Sequence, residues 1–263
     1  MELLFDSDGV RLAGHLALPR RGKGTAAPGL VIAHRFPAER EGAVMSGRSF
    51  PELADRIATE LGWVVLVFNF RGCGTSEGAF SLGGWLADLR AATDFVRTVD
   101  DVSSVWLCGF GTGAALSICA GASDPGVAGV ASVGAAADFD DWASHPRRLL
   151  EHAREVGILP KIPTGANYDR WVRELRSIRT VSCAEALAPR PLLVLHGSDD
   201  EVVPVFDARV LADAHGGADL RIVDGGRHAL RHDPRAVAIL LGWLDRQRNA
   251  AASSRFTHPA NLH

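Results

Sequence analysis

Short apolar runs recur along the chain and predict buried strands. The run at 63–68 is continuous rather than alternating, as in a strand whose two faces are both covered. Between such runs, apolar residues recur every three or four positions and predict helices, as at 51–61 and 82–99. Asp8-Gly9 separates two apolar stretches and predicts a hairpin turn. The further predicted strands are 29–33, 105–108, 127–133, 192–195 and 220–223, and the further predicted helices are 114–120, 206–214 and 234–243.

Strands that alternate with helices favour an α/β fold, with a mostly parallel, twisted sheet and helices on both faces. The alternation is interrupted between residues 139 and 189, where the pattern is mostly helical. Because such sheets bind ligands beyond the carboxyl ends of their strands, we expect this segment to form a small helical cap over that edge. The chain thus divides into a core at 1–138 and 190–247, a cap at 139–189, and a loosely ordered tail at 248–263. The predicted contact residues of the cap are Trp142, Leu149, Leu150, Trp171 and Leu175.

The composition is that of an ordinary globular protein. Of 263 residues, 47% are hydrophobic and 22% charged, and the formal net charge of −3 favours neither nucleic acid nor an anionic membrane as a partner. No secretion signal is expected from the first residues, and the apolar runs are too short to span a bilayer. The four cysteines form no C-x-x-C pair, which argues against zinc and favours a reduced, cytoplasmic setting. Cys108 and Cys119 lie in apolar runs and are expected in the core.

Glycine-rich and polar motifs follow several of the predicted strands. The motif GFGTG at 109–113 lies between a strand and a helix, HGSDDEVVP at 196–204 follows a later strand, and GGRH at 225–228 follows the last. Two more motifs, HRFP at 34–37 and RGCGTSEG at 71–78, lie further upstream. Because ligands of such sheets bind where the parallel strands end, these motifs are the candidates for a functional site.

Together the motifs resemble the α/β-hydrolase superfamily, in its esterase and acyl-hydrolase branch near dienelactone-hydrolase-like and serine-peptidase-like members. The resemblance covers roughly residues 1–247 and implies the α/β-hydrolase fold, with nucleophile, acid and histidine in that chain order. It implies that His228 is the base and that Asp200 orients its imidazole. The backbone N–H groups of Phe36 and Thr112 would be the oxyanion donors, and no cofactor or metal ion is implied.

Two positions depart from the family pattern. The turn should read G-x-S-x-G, but its central residue is Gly111, which offers no hydroxyl, thiol or carboxylate for an acyl-enzyme. Thr112 comes one position later, so its side chain is expected to point away from the apex of the turn. Loss of the nucleophile costs a serine hydrolase such as subtilisin roughly a millionfold in turnover. The second departure is Arg35, a long cation where the family usually has a glycine that lets backbone approach the substrate.

These departures leave three hypotheses for the function. In the first, the chain is a non-catalytic homologue that keeps the His228–Asp200 pair and binds a small acyl- or carboxylate-like ligand, or a protein partner. His34, Arg35 and Cys73 are then assigned to the ligand pocket. In the second, it is a hydrolase or lyase-type enzyme in which His228 is a general base without an acyl-enzyme. In the third, it is a weak esterase with a displaced nucleophile such as Cys73, which would need exposure and a lowered pKa.

Weaker patterns point to other chemistry. The stretch 109–114 also fits the dinucleotide fingerprint G-x-G-x-x-A, but several strands precede it, whereas the fingerprint normally opens the first βα unit. His228 and His232 have the i, i+4 spacing of metal ligands, but no glutamate follows the first histidine. The basic residues of the cap indicate either a solvated helix face or, with Arg35, a preference for anionic ligands. They are Arg147, Arg148, Arg154, Lys161, Arg170, Arg173, Arg176 and Arg179.

Overall fold

The computed structural model describes residues 1–20, 24–39 and 50–256, and the backbone alone for 251–256. Their strands form an eight-stranded sheet in the order β1-β2-β4-β3-β5-β6-β7-β8. The strands are β1 (Glu2–Ser7), β2 (Val10–Ala17), β3 (Ala27–Ala33), β4 (Val64–Phe68), β5 (Val102–Phe110), β6 (Val127–Val133), β7 (Leu192–Gly197) and β8 (Asp219–Val223). The helices are α1 (Pro51–Leu61), α2 (Leu82–Arg97), α3 (Thr112–Ser123), α4 (Asp140–Ser144), α5 (Pro146–Glu155), α6 (Ala166–Ser177), α7 (Thr180–Leu187), α8 (Val205–His215) and α9 (Pro234–Phe256).

The sheet is parallel from β4 through β3 to β8, and β2 pairs antiparallel with both β1 and β4. The predicted hairpin is confirmed at Asp8 and Gly9, whose φ angles of 52° and 78° suit the tight turn that joins β1 to β2. The predicted α/β class is likewise confirmed, with each predicted strand and helix found in its expected stretch of chain.

Two apolar layers cover the sheet because successive side chains of a strand point to opposite faces. In β3, Val31 packs into the layer formed with α2, α3 and α8, whereas Ile32 packs into the layer formed with α1 and α9. Both side chains are almost fully buried. This two-sided burial explains why the central strands are continuous apolar runs in the sequence.

Helices α4 to α7 lie between β6 and β7, in the segment expected to form a cap. Leu150 and Leu175 are buried in the same apolar layer as α2 and α3, and the Trp171 ring meets Phe80 edge-on at 5.8 Å. Helix α9 continues to Phe256, past the boundary at 247 where a loosely ordered tail was expected. The last part of that expected tail, 257–263, lies outside the described residues. None of the described helices is both long and apolar enough to cross a membrane.

Candidate active site

A sharp turn between β5 and α3 presents residue 111 at the carboxyl edge of the sheet. Gly111 has φ 53° and ψ −120°, a conformation that L side chains adopt only with strain. Its N–H donates to the carbonyl of Val133 at 2.8 Å, which ties the turn to the neighbouring strand β6. At Gly113, an added Cβ would come within 2.4 Å of the His34 carbonyl oxygen, so only glycine lets α3 approach this loop so closely.

The loop after β7 holds an acid against a histidine. Nδ1 of His228 lies 2.9 Å from Oδ2 of Asp200, while Oδ1 of Asp200 accepts the backbone N–H groups of Val202 and Val203 at 2.9 and 2.8 Å. The Asp200 side chain is fully buried and that of His228 is 14% exposed. This bond assigns the proton of neutral His228 to Nδ1 and leaves Nε2 as a proton acceptor.

A second histidine supports the same carboxylate. Nε2 of His196, at the end of β7, lies 3.3 Å from Oδ2 of Asp200 and 3.0 Å from the Val203 carbonyl. Burial alone would raise the pKa of Asp200, but hydrogen bonds from His196, His228 and the two backbone N–H groups hold it below its usual range. Asp200 therefore stays ionised and can stabilise a proton gained by His228.

The space above Gly111 is occupied from two sides. A Cβ atom added at position 111 would lie 3.3 Å from Nε2 of His228, so the base faces the place where a nucleophile would be attached. The same atom would lie only 2.8 Å from Cβ of Arg35, closer than real Cβ contacts come. Arg35 Cβ is fixed to the backbone and cannot rotate away as the end of a flexible side chain would. As long as residue 35 carries a Cβ atom, glycine is therefore the residue that fits at position 111 without a shift of the backbone.

A cavity of about 420 Å³ opens above this turn and beneath the cap. Arg35, Phe36, Gly111, Thr112 and His228 all line it, so the structure brings these predicted site residues together. Thr112 begins α3, and the N–H groups of a first helical turn have no partner within the helix. Asp200 lies behind His228 rather than in the cavity wall.

His34 does not line this cavity, contrary to its assignment as a ligand-binding residue. Its ring is buried, with Nδ1 2.8 Å from the Arg35 carbonyl and Nε2 accepting the N–H of Phe70 at 3.2 Å. Burial lowers the pKa of His34 to about 4, partly offset by the bond to Arg35. Both ring nitrogens are used to hold backbone, so His34 shapes the loop that carries Arg35.

The assignment of Cys73 to the ligand pocket is also wrong. Its thiol is fully buried in the apolar layer and does not line the cavity. Burial, with a smaller effect of the Asp88 carboxylate, raises the pKa of Cys73 far above that of a reactive thiol. The hypothesis of a displaced Cys73 nucleophile is therefore wrong. Ser76, in the same loop, is structural: its hydroxyl accepts the N–H of Ala13 and donates to the Asn69 carbonyl.

The lining of the cavity does not support the alternative in which the basic residues of the cap, together with Arg35, create a preference for anionic ligands. Within the described residues, none of the basic side chains named for the cap lines it, and Arg179 instead pairs with Asp140 at 2.7 Å. Carboxylates line it instead: Asp138, Asp141 and Asp207. Arg35 therefore shares the lining of the cavity with three carboxylates.

Several lining residues were not identified from the sequence as functional. Phe36 packs against Trp142 at 5.3 Å and against the imidazole of His152 at 5.8 Å, and Phe139 adds a further ring. The sequence held one indication of this lining: Leu149 and His152 are three residues apart on α5 and therefore share a helix face. The contacts of Phe36 with Trp142 and His152 join the loop after β3 to the cap, and no local sequence pattern encodes these contacts.

Comparison with known proteins places the chain in a family. The family model of the alpha/beta hydrolase family matches residues 30–240. Among curated proteins, YfhR of Salmonella typhi, described as uncharacterized, is 29% identical over 160 residues, which is 56% of this chain and 48% of YfhR. The uncharacterized protein Rv2307c of Mycobacterium tuberculosis is 30% identical over 169 residues, 59% of each chain. This chain therefore spans about half the length of the curated relatives it matches.

Solved structures share the fold. Est1E from Butyrivibrio proteoclasticus, determined with ferulic acid bound, superposes with a TM-score of 0.73 and 20% identity over 94% of this chain and 99% of that one. The esterase domain of a Rhodothermus marinus protein superposes with a TM-score of 0.67 and 23% identity over 94% and 96% of the two chains. With the sheet order, the turn at Gly111 and the family model in agreement, this chain belongs to the alpha/beta hydrolase family.

Proposed function

We propose that this chain is a ligand-binding member of its family that does not form an acyl-enzyme. The observation that carries the proposal is the 2.8 Å between Cβ of Arg35 and the position of any Cβ at residue 111. A serine at 111 would meet Arg35 as well as the strain of a positive φ, and glycine avoids both. The two departures from the family motif thus fit each other sterically.

The proposed ligand is a small aromatic acyl or carboxylate compound. Phe36, Phe139 and Trp142 offer ring faces and edges to an aromatic group, and such contacts contribute beyond the area they bury. Arg35, next to the turn at Gly111, supplies a cation that can pair with the carboxylate of a ligand. At the start of the cap, Asp138 and Asp141 would repel such a carboxylate. We therefore place the acid group of the ligand at Arg35 and its ring towards the cap. The ferulic acid bound by Est1E is a compound of this class.

A second candidate function rests on His228. Its Nε2 faces the space above Gly111, and buried Asp200 fixes the ring. A water molecule or a substrate C–H group held there would be within reach of a general base. Loss of hydrolase or lyase activity in His228→Ala, with unchanged ligand affinity, would support this candidate over simple binding.

A fluorophosphonate probe tests the absence of covalent chemistry. The natural chain and Gly111→Ser are expected to remain unlabelled, the latter because Arg35 displaces the new side chain. The double variant Arg35→Gly/Gly111→Ser is expected to react at position 111, because removing the Arg35 side chain restores the room next to His228. Intact-mass measurement after probe treatment gives the result.

Arg35→Gly alone is the matched control and should stay unlabelled. Its folding, and that of the double variant, is compared by urea denaturation. The single Gly111→Ser change should cost about 1–3 kcal/mol, and Arg35→Gly should recover part of that cost. Labelling of the natural chain would overturn the proposal, and equal labelling of the single and double variants would refute the steric argument.

Ligand binding is measured separately by adding ferulate to the protein and following its tryptophan fluorescence. Trp142 lines the cavity, so its emission should change when a ligand binds. Ferulate is expected to bind more tightly than its methyl ester. Arg35→Met keeps the side-chain length and removes the charge, and should weaken ferulate binding about 10-fold or more while leaving the ester unaffected. Equal affinities of acid and ester in the natural chain would exclude Arg35 as the carboxylate partner.

A further inference from the structure

Two of the four cysteines, far apart in the sequence, lie on helices α3 and α7, which pack against each other. Thr180, Ala184 and Leu187 form the buried face of α7, at the spacing of one helix stripe. That face contacts α3, where a Cβ added at Gly121 would lie 3.4 Å from Leu187 Cδ1. Cys183 lies next to this stripe and packs against the apolar layer that contains Cys119 of α3.

The two thiols differ in exposure. Cys119 is 5% exposed within the apolar layer, whereas Cys183 is only half-buried at its edge. Arg90 stands beside the pair and donates from Nη2 to the Ser123 hydroxyl at the end of α3, at 3.2 Å. Cys183 is therefore the more accessible of the two residues to a reagent from solvent.

The electrostatics favour ionisation of the exposed partner. A hydrogen bond from the Cys119 thiol lowers the pKa of Cys183; burial opposes this, and the Arg90 cation assists it. The same thiol–thiol bond, together with burial, raises the pKa of Cys119. A thiolate at an accessible position beside a protonated, buried thiol is the arrangement of an attacking and a resolving cysteine.

We propose that Cys119 and Cys183 form a redox-active dithiol that peroxides convert into a disulfide. The Cys183 thiolate attacks one oxygen of hydrogen peroxide, the O–O bond breaks, and sulfenic acid and hydroxide are formed. Sulfur of Cys119 then attacks sulfur of Cys183, the S–O bond breaks, and the sulfenic oxygen leaves as water after taking up the Cys119 proton. The disulfide ties α7, at the base of the cap, to α3, whose first residue lines the cavity.

The proposal does not depend on the proposed function, because neither thiol lines the cavity. Its test uses the full folded chain, treated with hydrogen peroxide, blocked with N-ethylmaleimide and digested without reduction. We expect a cross-linked peptide pair that contains Cys119 and Cys183, lighter than the two thiol peptides by two hydrogen atoms and lost on treatment with dithiothreitol.

The other two cysteines provide matched controls. Cys73 and Cys108 are fully buried, and burial raises the pKa of Cys108 to about 12. Cys73→Ala and Cys108→Ala should therefore keep the cross-link, whereas Cys119→Ser and Cys183→Ser should each abolish it. As a second measurement, Cys183 should react with N-ethylmaleimide before the other thiols in the untreated chain at neutral pH. Peroxide treatment that leaves Cys119 and Cys183 unlinked, or oxidises Cys183 only to sulfenic or sulfinic acid, would overturn the proposal.

Discussion

His34 and His228 both follow strands of the sheet, yet their ring nitrogens have different partners. His34 uses both nitrogens to hold the backbone of its own loop and of Phe70. Among the described parts of the chain, His228 has one such partner, Asp200 at Nδ1, and its Nε2 faces the space above Gly111. The number of internal partners therefore separates a histidine that builds the loop from one that is available for chemistry.

The burial of His34 predicts a specific loss of stability in mild acid. Its folded-state pKa of about 4 lies below the value of about 6.5 for an unfolded histidine. Between these two pH values the unfolded chain binds more protons at this histidine than the folded chain does. The free energy of unfolding therefore falls as the pH drops from about 6.5 to 4, and His34 accounts for about 3 kcal/mol of that fall. His34→Gln should flatten that part of the pH profile, measured by urea denaturation at several pH values.

His145→Gln is the control for this measurement, because that side chain is 63% exposed and lies on the cap surface. It should leave the slope between pH 6.5 and 4 as in the natural chain. A slope in His34→Gln that equals the natural one would show that another group accounts for the acid sensitivity.

At the scale of elements, a buried ion pair fixes the loop after β4 to helix α2. Asp88 of α2 is fully buried and accepts hydrogen bonds from the Arg71 guanidinium, the Arg71 backbone N–H and the Ser7 hydroxyl. The Trp85 indole also donates to the Arg71 carbonyl at 3.1 Å. One loop, one helix and strand β1 are thus joined through a single carboxylate, which explains why the motif at 71–78 is structural.

Asp88→Asn should therefore be strongly destabilising. The change keeps the shape of the side chain but leaves Arg71 without its buried counter-charge, a loss of about 3–5 kcal/mol. Chemical denaturation measures it. Glu60→Gln removes one partner of the exposed Arg56–Glu60 pair and should cost less than about 1 kcal/mol. Similar effects of the two changes would mean that the buried pair does not hold these elements together.

At the scale of the molecule, cap and core share one apolar layer. Trp171 of the cap is 4% exposed and meets Phe80, and Leu150 and Leu175 are buried among residues of α2 and α3. Separate unfolding of the cap would expose this layer to water. We therefore expect cap and core to unfold in one cooperative transition.

Trp171→Ala tests that cooperativity. It should lower the free energy of unfolding of the whole chain by about 3–5 kcal/mol, with far-ultraviolet and near-ultraviolet dichroism changing together. Phe206→Ala removes a ring that is 67% exposed and should change stability by about 0.5 kcal/mol or less. Two transitions in Trp171→Ala would show instead that the cap unfolds independently.

Local sequence patterns predicted the helices and strands well, because the type of each such element depends mainly on residues that are close together in the sequence. The continuous run of β4 and the spacing of apolar residues in α2 gave their type and approximate bounds. The resemblance of the motifs to α/β-hydrolases predicted the pairing of His228 with Asp200, and the structure contains that hydrogen bond. The roles assigned to His34 and Cys73 were wrong, since burial depends on contacts with distant parts of the chain.

The sequence by itself determined the class of the fold, the turn at 109–113, the candidate acid and base, and the absence of a nucleophilic side chain at Gly111. The fold class follows from local periodicity and the missing side chain from residue identity, whereas the candidate acid and base follow from the resemblance of the motifs to the α/β-hydrolase superfamily. Only the tertiary structure decided that Arg35 Cβ lies next to the position of a Cβ at residue 111, that carboxylates and aromatic rings line the cavity, and that Cys183 packs against the layer that contains Cys119. The reason is physical: packing distances between remote segments depend on how the helices and strands dock, and no local pattern fixes them.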